Sequence, residues 1–461
     1  GKRSDDGEDE DDSEGFPMLE INPSRGDEET GEAESSDSLP RQEEGYGPVT
    51  KRSAYMQLAL LLAINMLNYI DRQIVSSVNT DMQAEFGTTD GETGALATAF
   101  IVSYMIAAPL FGHFFAHLSR WIVVGVGVIF WSIASGATGF CASFPAALGA
   151  RALVGIGEAA YGPVAPAIIA DIFPMQQRTR VISVFYIAMP VGSAVGYIWG
   201  GLVLKAGLHW SWAYFLSAPP GLVLGFLALL VKDPHHHNRQ HKTKKPALDD
   251  YKEVLLTPTY LCLLAGQTCG TFALGGLAFW VPKYIEWRTK NQANEMTHAE
   301  AATFFGPILV VAGLISVPLG GWVGDRFRHY KGGLLLVSGL ALLLAAPCSL
   351  FQIWAPFPYA WAFVFFVCFW SFFTTGPTNA AMCNVVVPKM RPGAFAVSIF
   401  VQHALGDAIS PPLIGVINDK AHGNMNLGFG AVGVVMFLSA FSYLAGRHYL
   451  DDDSAKIVHL I

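Results

Sequence analysis

Long apolar runs separated by polar connections dominate the chain from Ala54 onward. A transmembrane α-helix needs about 20 mostly apolar residues, and each run is long enough to provide one. We count twelve runs, which in chain order cover 54–78, 92–116, 121–142, 145–172, 179–204, 209–231, 259–283, 301–323, 333–354, 358–387, 393–417 and 425–449. The pattern predicts an all-α polytopic membrane protein.

Polar segments divide this array of predicted spans. Residues 1–50 are rich in Asp, Glu, Ser and Gly and predict a disordered acidic tail. The longest internal polar segment, 232–258, follows the sixth span. We therefore expect two six-helix domains, 51–231 and 259–450, on either side of this linker, and a C-terminal tail at 451–461. Such a division is typical of transporters built from repeats.

Composition and charge support a membrane protein. Hydrophobic residues make up 52% of the 461 residues and charged residues only 14%, whereas soluble proteins carry about 25% charged residues. The net charge of −8 comes from residues 1–50, which hold 17 acidic and four basic residues; the remaining chain holds 20 acidic and 25 basic residues. No nucleic-acid partner is expected.

The six cysteines show no metal or redox spacing. The linker sequence HHH at 235–237 has metal-ligating side chains, His235, His236 and His237, but no carboxylate or thiol framework accompanies them. We expect a solvated basic linker, no metal site and no cofactor.

Basic residues recur at alternate connections, which predicts that both termini and the linker are cytoplasmic. Connections 79–91 and 143–144, on the opposite side, contain no Lys or Arg. The basic residues that set this orientation, besides those of the linker, are Lys51, Arg52, Arg120, Arg178, Arg180, Arg326, Arg328, Lys331, Lys389 and Arg391.

The fourth span carries a carboxylate, Glu158, close to its middle. A charge in the bilayer interior is costly, so such residues usually face a helix bundle or a water-filled path. Arg151, Gly155 and Gly162 share its helix face, and the small glycines allow another helix or a ligand to approach. The alternative is that Glu158 only pairs with a basic neighbour and holds two helices together.

The first span contains Asn65, Asn68, Asp71 and Arg72 within about a third of the helix circumference. Adjacent side chains on a helix do not face each other, so Asp71 and Arg72 are expected to reach different partners. Glu158 is a natural partner for Arg72. Protonating a carboxylate in such a set would free Arg72 to bind something else.

The eleventh span places His403, Gly406, Asp407 and Ser410 on one face, and the pair at 411–412, Pro-Pro, is expected to break or bend the helix after them. His403 is either a structural histidine or, beside Asp407, part of a functional or gating group. Weaker polar candidates in neighbouring spans are Thr375, Asn379 and Trp280.

Two further patterns concern helix motion. Span five has Pro190 and four glycines (Gly192, Gly196, Gly200 and Gly201) where a helix is expected to bend and pack closely. After span eight, Asp325 and Arg326 are expected to pair with a neighbouring helix in one state and release it in another, forming a conformational latch.

Several motifs resemble those of known transporters. RALVGIG at 151–157, the glycine-rich span five and GWVGDR at 321–326 resemble major facilitator superfamily motifs. NYIDR at 68–72, GIGEAAYGPVAPAIIADIF at 155–173, FYIAMPVGSAVGYIWGG at 185–201 and HALGDAISPPLIG at 403–415 resemble the Spinster family of lysolipid and sphingolipid transporters. Together these motifs span nearly the whole membrane body.

The resemblance implies a major facilitator fold with alternating access, amphiphilic substrates such as lysophospholipids or sphingosine-1-phosphate, and an endolysosomal or plasma membrane location. It implies that Asp71, Arg72 and Glu158 couple protons and gate the substrate. We expect a monomer. The candidate substrate contacts are Asn68, Tyr161, Trp280, Asn379, His403 and Asp407, and Arg151 joins Asp325 and Arg326 as a latch candidate.

One motif departs from the superfamily pattern. After span two the superfamily usually has GxxxDR, but here Ala116 and His117 stand where Asp and Arg are expected; Gly112 and Arg120 remain. The charge latch on this side is therefore expected to be weakened.

Three functions are compatible with these features. The first is a lipid transporter that is proton-coupled or facilitative. The second is a transporter of a small polar solute or organic anion, and the third is a non-transporting membrane sensor or scaffold. Buried charges favour the two transporters, because a scaffold does not need them. An enzyme is not expected, since no nucleophile-base pair, metal set or phosphate loop is recognised.

Overall fold

The computed structural model describes residues 49–114, 118–232, 255–387 and 390–460. The predicted acidic tail up to residue 48, Ala116, His117, the three linker histidines and Lys389 lie outside these ranges. Within these ranges, eight helices precede the linker: α1 (Lys51–Ser77), α2 (Asn79–Phe86), α3 (Asp90–Phe114), α4 (Arg120–Thr138), α5 (Phe144–Ala159), α6 (Val164–Ile172), α7 (Met175–Lys205) and α8 (Ser211–Leu230).

The elements after the linker are also helical. They are α9 (Pro258–Thr289), α10 (His298–Phe327), α11 (Gly333–Trp354), α12 (Ala360–Phe373), α13 (Thr375–Asn384), α14 (Arg391–Gln402), a π-helix (His403–Asp407), α15 (Ser410–Lys420), α16 (Met425–Gly446) and α17 (Leu450–Leu460). Within the described ranges, 11 helical segments are long and apolar enough to cross a membrane. The prediction of an all-α polytopic membrane protein is confirmed.

Within the described ranges, the eleventh predicted span, 393–417, is the one that matches none of the helical segments long and apolar enough to cross a membrane. It is divided into α14, the π-helix and α15, and the Pro411-Pro412 pair occupies the first turn of α15. Proline lacks an N–H and fits the first turn of a helix better than its interior. The predicted interruption of this span is therefore confirmed.

Some boundaries differ from the sequence predictions. The predicted span 145–172 consists of α5 and α6, separated by a turn that contains Gly162 and Pro163. α9 continues to Thr289, beyond the predicted end at 283. Hydrophobic periodicity did not indicate α2 and α17, because both are short and lie in polar sequence; α17 occupies most of the predicted tail at 451–461.

The helices before the linker (first half) and those after it (second half) pack mainly through two helix pairs, α7 with α10 and α3 with α15. A continuous apolar cluster crosses from one half to the other and includes Val75, Tyr197, Trp280 and Phe305. We call this end of the bundle, where α1 ends and α3 begins, the closed end. The opposite end, where α1 begins and α16 ends, is the termini end. Among the described contacts between the two halves, those of α3 extend as far as Tyr104 and those of α7 as far as Pro190. The two halves are therefore joined at the closed end.

Glycines allow the close helix contacts on which this joint depends. A Cβ atom at Gly94 would lie 2.5 Å from the Pro411 carbonyl carbon, and one at Gly306 would lie 2.7 Å from the Ala194 oxygen. Within the first half, a Cβ atom at Gly196 would lie 2.6 Å from the Ile70 oxygen. The predicted close packing of span five is confirmed, and α7 remains a continuous helix through Pro190.

The helix α17 ties two elements of the second half together at the termini end. The Asp453 carboxylate accepts hydrogen bonds from the Thr259 backbone N–H (3.1 Å) and hydroxyl (2.7 Å) at the start of α9. The Asp451 carboxylate accepts one from the Gly332 N–H (3.0 Å), just before α11. Asp453 thus caps a helix to which it does not belong, which satisfies otherwise unpaired first-turn N–H groups.

Candidate functional site

A group of four charged side chains lies inside the first half. α1 supplies Asp71 and Arg72, and α5 supplies Arg151 and Glu158. The Arg72 Nε donates to Glu158 Oε2 at 2.9 Å, which is the predicted pairing. The Glu158 side chain is fully buried, whereas 23% of the Arg72 side chain is exposed. The ion pair therefore has one buried partner and one that solvent can reach.

Aromatic rings surround the Arg72 guanidinium. Its central carbon lies 5.2 Å from the ring centroid of Tyr69, 4.9 Å from that of Phe100 and 5.3 Å from that of Tyr104. Arg151 lies 5.2 Å from the Phe100 centroid, so one ring serves both cations. Cation–π contacts of this kind stabilise a cation most when water is excluded. Sequence reasoning missed these rings; the i, i+4 spacing of Phe100 and Tyr104 places them on one face but does not reveal the partner helix.

Asp71 is almost completely buried, and its carboxyl oxygens form no hydrogen bond of ordinary geometry in the described part of the chain, although the hydroxyls of Ser135 and Ser217 lie close enough to act on the carboxylate. Nε and Nη1 of Arg151 and Oε1 of Glu158 likewise form no hydrogen bond of ordinary geometry there, although the Asn68 amide lies close enough to act on the Glu158 carboxylate. Glu158 and Arg151 both act electrostatically on Asp71. With all four groups ionised the compartment is neutral, so addition of one proton leaves an uncompensated guanidinium.

The glycines around Glu158 explain how α5 comes so close to α3. A Cβ atom at Gly155 would lie 2.2 Å from the Phe100 oxygen, and one at Gly162 would lie 2.3 Å from the Tyr104 hydroxyl. Any larger residue at these positions would push the aromatic rings away from the charges. The prediction that small residues here admit a neighbouring helix is confirmed.

The second half contributes a histidine–aspartate pair from the π-helix. The His403 Nδ1 lies 3.0 Å from both carboxyl oxygens of Asp407, and the His403 ring packs edge-on against Tyr104 at 6.4 Å. Pro412 cannot donate to the Ala408 carbonyl one turn earlier, and that carbonyl accepts a hydrogen bond from the Thr98 hydroxyl of the first half instead. The missing N–H thus creates a contact between the halves, and single-turn π-helices often occur at functional sites.

The remaining predicted substrate contacts are dispersed. The Tyr161 hydroxyl donates to the Leu61 carbonyl (2.7 Å), and the Trp280 indole N–H donates to the Pro411 carbonyl (2.9 Å); both side chains are buried. Asn68 is buried in α1, where its amide lies close enough to act on the Glu158 carboxylate, whereas Asn379 is exposed on α13. In this conformation the polar atoms of Tyr161 and Trp280 are occupied by the backbone, so their role in binding stays a prediction.

The three predicted latch residues do not lie together. Arg151 is buried in the charged group of the first half, whereas Asp325 and Arg326 are exposed at the end of α10. Asp325 lies beside a cavity of about 420 Å³ that α17 helps to line. The sequence motif suggested that Arg151 belongs to the latch. The structure instead places Arg151 beside Phe100, in the same buried charged group as Glu158.

Sequence reasoning also missed a polar lock at the closed end. Lys283 of the second half donates to Asp90 of the first half at 2.6 Å, and Asn418 donates to the same carboxylate at 3.3 Å. The Asp419 carboxylate accepts from the N–H groups of Asp90 (3.0 Å) and Gly91 (2.9 Å), at the N-terminus of α3. A carboxylate at a helix N-terminus is favoured by the helix dipole as well as by these hydrogen bonds.

The family known as the Major Facilitator Superfamily matches residues 61–411 of the chain. Protein spinster of Drosophila melanogaster is 34% identical over 409 residues, which cover 86% of this chain and 67% of that protein. The chain belongs to the Spinster family of the major facilitator superfamily. The predicted fold and the family resemblance are both confirmed.

Two further comparisons agree with this assignment. The sphingosine-1-phosphate transporter SPNS2 of Danio rerio is 31% identical over 435 residues, covering 88% of this chain and 86% of that protein. A bacterial homolog of the human lysosomal transporter Spinster, in an inward-facing and unoccupied conformation, has a TM-score of 0.71 at 19% identity, covering 89% of this chain and 99% of that one. The family and the fold are those of membrane transporters, a class distinct from enzymes.

Proposed function

We propose that this protein is a secondary active transporter that moves lysophospholipids or sphingolipid-type amphiphiles across a membrane by alternating access. The observation that carries the proposal is the buried Arg72–Glu158 pair beneath three aromatic rings. The guanidinium suits an anionic headgroup, and the rings provide an apolar wall beside it. The similarity to a sphingosine-1-phosphate transporter over most of both chains supports this class of substrate.

The same pair suggests how a proton would be coupled to the lipid. A proton on Glu158 removes the charge that holds Arg72, which is then free to bind a phosphate group. Loss of the proton restores the ion pair and releases the phosphate. In this scheme the deprotonated carboxylate and the lipid phosphate alternate as the partner of the Arg72 guanidinium, so a proton on Glu158 accompanies the bound phosphate. Asp71, on which Arg151 acts electrostatically, offers a second carboxylate that can take up a proton.

Alternating access follows from the two-half arrangement. The halves are joined at the closed end, so we propose that the exposed part of the Arg72 side chain is reached from the termini end in this conformation. The positive-inside pattern supports a cytoplasmic location for that end and for both termini. We place this transporter, as a monomer, in an endolysosomal or plasma membrane. The division of the membrane body at the linker into domains 51–231 and 259–450 is part of the same proposal.

Lipid uptake into proteoliposomes tests both the substrate and the coupling. Labelled lysophospholipid and sphingosine-1-phosphate would be supplied with and without a pH gradient to wild type, Glu158→Gln and Asp71→Asn. Glu295→Gln is the matched control, because Glu295 is exposed in a connection at the closed end. We expect gradient-driven lipid flux in wild type and the control and its loss in both test variants.

Two results would contradict the proposal at different levels. Lipid flux that ignores the gradient and survives both substitutions removes the proton coupling and leaves a facilitative lipid transporter. Absence of lipid flux in wild type removes the lipid assignment and favours a small polar solute or a non-transporting role. The control variant separates these results from a general effect of losing one carboxylate.

A further inference from the structure

One face of α9 is turned toward the first half. At the closed end, the Ala278 carbonyl on this face accepts hydrogen bonds from the hydroxyls of Ser76 (3.0 Å) and Tyr197 of the first half. Gln267 lies eleven residues earlier in the same helix, which corresponds to about 20° of rotation and about 16 Å of rise at 1.5 Å per residue. Gln267 therefore faces the first half as well, but nearer the termini end, below the level at which the halves are joined.

The side chain of Gln267 is held by a hydrogen-bond network between α9 and α14. Its Oε1 accepts from the Ser398 hydroxyl at 2.8 Å and from Gln402 Nε2 at 3.2 Å. The Gln402 Nε2 also donates to the Ser398 hydroxyl (2.8 Å), and its Oε1 accepts from the Thr271 hydroxyl (3.2 Å). The Ser398 hydroxyl and the Gln402 amide nitrogen thus both hold the Gln267 oxygen, and Thr271 in turn holds the Gln402 side chain.

The network leaves the other end of the Gln267 amide available. Within the described ranges the Gln267 Nε2 group has no hydrogen-bond partner, and this nitrogen is not fully buried. The residue as a whole is half-buried. Two N–H donors are therefore fixed in direction and presented to accessible space, a geometry that lowers the entropy cost of binding an acceptor.

We propose that Gln267 is a substrate contact of the second half, whose amide N–H groups bind a phosphate oxygen of a phosphate-bearing amphiphile. This inference rests on the proposed transport function and adds a phosphate contact from the second half to that of Arg72 in the first half. A phosphate offers only acceptors at this position, which matches the two donors. The amide is uncharged. It can therefore bind the phosphate without altering the ion pair between Glu158 and Arg72.

Equilibrium binding to the purified full chain in detergent tests this contact. The ligands are sphingosine-1-phosphate and sphingosine, which differ by the phosphate. We expect Gln267→Leu to weaken binding of sphingosine-1-phosphate by about tenfold or more, as for the loss of a hydrogen bond to a charged group, and to change sphingosine binding less than about twofold. Gln292→Leu, in an exposed connection at the closed end, is the matched control and should change neither.

A second variant keeps the test independent of folding defects. Ser398→Ala removes one of the two donors that hold the Gln267 oxygen and should produce a smaller loss for the same ligand only. Equal weakening of both ligands by Gln267→Leu, or unchanged preference for the phosphate, overturns the inference. A wild type that binds neither ligand, or does not prefer the phosphate, overturns the proposed lipid function together with it.

Discussion

Arg72 makes two kinds of contact at the same time, an ion pair and cation–π contacts. Its Nε donates to a fully buried carboxylate, and its planar guanidinium lies within 5.3 Å of three ring centroids. The ion pair compensates for the burial of Glu158, and the rings replace part of the water that the guanidinium loses. Both contacts depend on the shape of arginine and not only on its charge.

This dependence predicts the effect of a charge-conserving substitution. Arg72→Lys keeps the positive charge but provides a compact ammonium without a flat face, which is a poor replacement at a stacked or forked site. We expect lipid flux to fall at least about tenfold while the protein remains folded. Arg52→Lys, on an exposed arginine at the start of the same helix, should leave flux unchanged. Wild-type flux in Arg72→Lys would show that charge alone suffices.

Residue-level predictions succeeded where a side chain conflicts with its own sequence surroundings. Asp71, Arg72 and Glu158 stand out because a charge in an apolar run requires a partner, and the Arg72–Glu158 pairing follows from that requirement. The rings of Phe100 and Tyr104 do not stand out, because an aromatic residue is ordinary in an apolar helix. Their importance depends on which helix packs against α5, which no local pattern encodes.

At the level of elements, the contact between α3 and α5 depends on a single small residue. A Cβ atom at Gly155 would lie 2.2 Å from the Phe100 backbone oxygen, which cannot move without shifting α3. We expect Gly155→Ala to destabilise the folded protein by about 1–3 kcal/mol, as overpacking usually does. It should also impair transport, because the rings around Arg72 would move.

Gly149 provides a matched control on the same helix. A Cβ atom there would have no neighbour within 4 Å, so Gly149→Ala should be neutral or slightly stabilising through helix propensity. Thermal unfolding in detergent would compare the two variants. Equal midpoints for Gly155→Ala and wild type would show that α3 and α5 can separate without cost.

The helix α17 is expected to detach at low pH. Burial raises the pKa of the Asp453 carboxyl, but hydrogen bonds from Lys456 and Thr259 outweigh it, and the pKa lies below the ordinary value. A group whose pKa is lowered by folding stabilises the folded state above its unfolded pKa. That stability is lost as the pH falls from the unfolded pKa through the folded one.

Hydrogen exchange of the α17 amides, corrected for the intrinsic pH dependence, measures this effect. Protection should be pH-independent near neutrality and decrease in the acid range below the ordinary Asp pKa. Asp453→Asn should reduce protection already at pH 7, because it removes the charge that Lys456 and Thr259 stabilise. Asp452→Asn, on an exposed neighbour, is the control and should behave as wild type. Full protection in Asp453→Asn would assign the docking of α17 to other contacts.

For the whole molecule, the sequence indicated the number and type of spans but not how the halves meet. Apolar runs of bilayer length are a local signal, and so is the Pro411-Pro412 interruption. The closed end joins Asp90 with Lys283 and with Asn418, residues that are far apart in sequence. These residues lie in or beside polar connections, where polar side chains are unremarkable. The predominant conformation depends on the balance between contacts at the closed end and contacts at the termini end. A local sequence pattern does not reveal this balance.

That balance should respond to the lock at the closed end. Lys283→Gln removes the cation that pairs with Asp90 at 2.6 Å, and loss of a hydrogen bond to a charged group costs about 1.5–3 kcal/mol. Because this contact exists only while the halves are joined there, its loss shifts the population toward a conformation opened at the closed end by about ten- to a hundredfold.

Spin labels at Ala206 and Asn294, exposed residues of opposite halves at this end, would report the change as a longer distance, in a background without native cysteines. Lys290→Gln, on an exposed lysine nearby, should leave the distance distribution unchanged. If Lys283→Gln also leaves it unchanged, the apolar cluster and the glycine contacts hold the closed end without the ion pair.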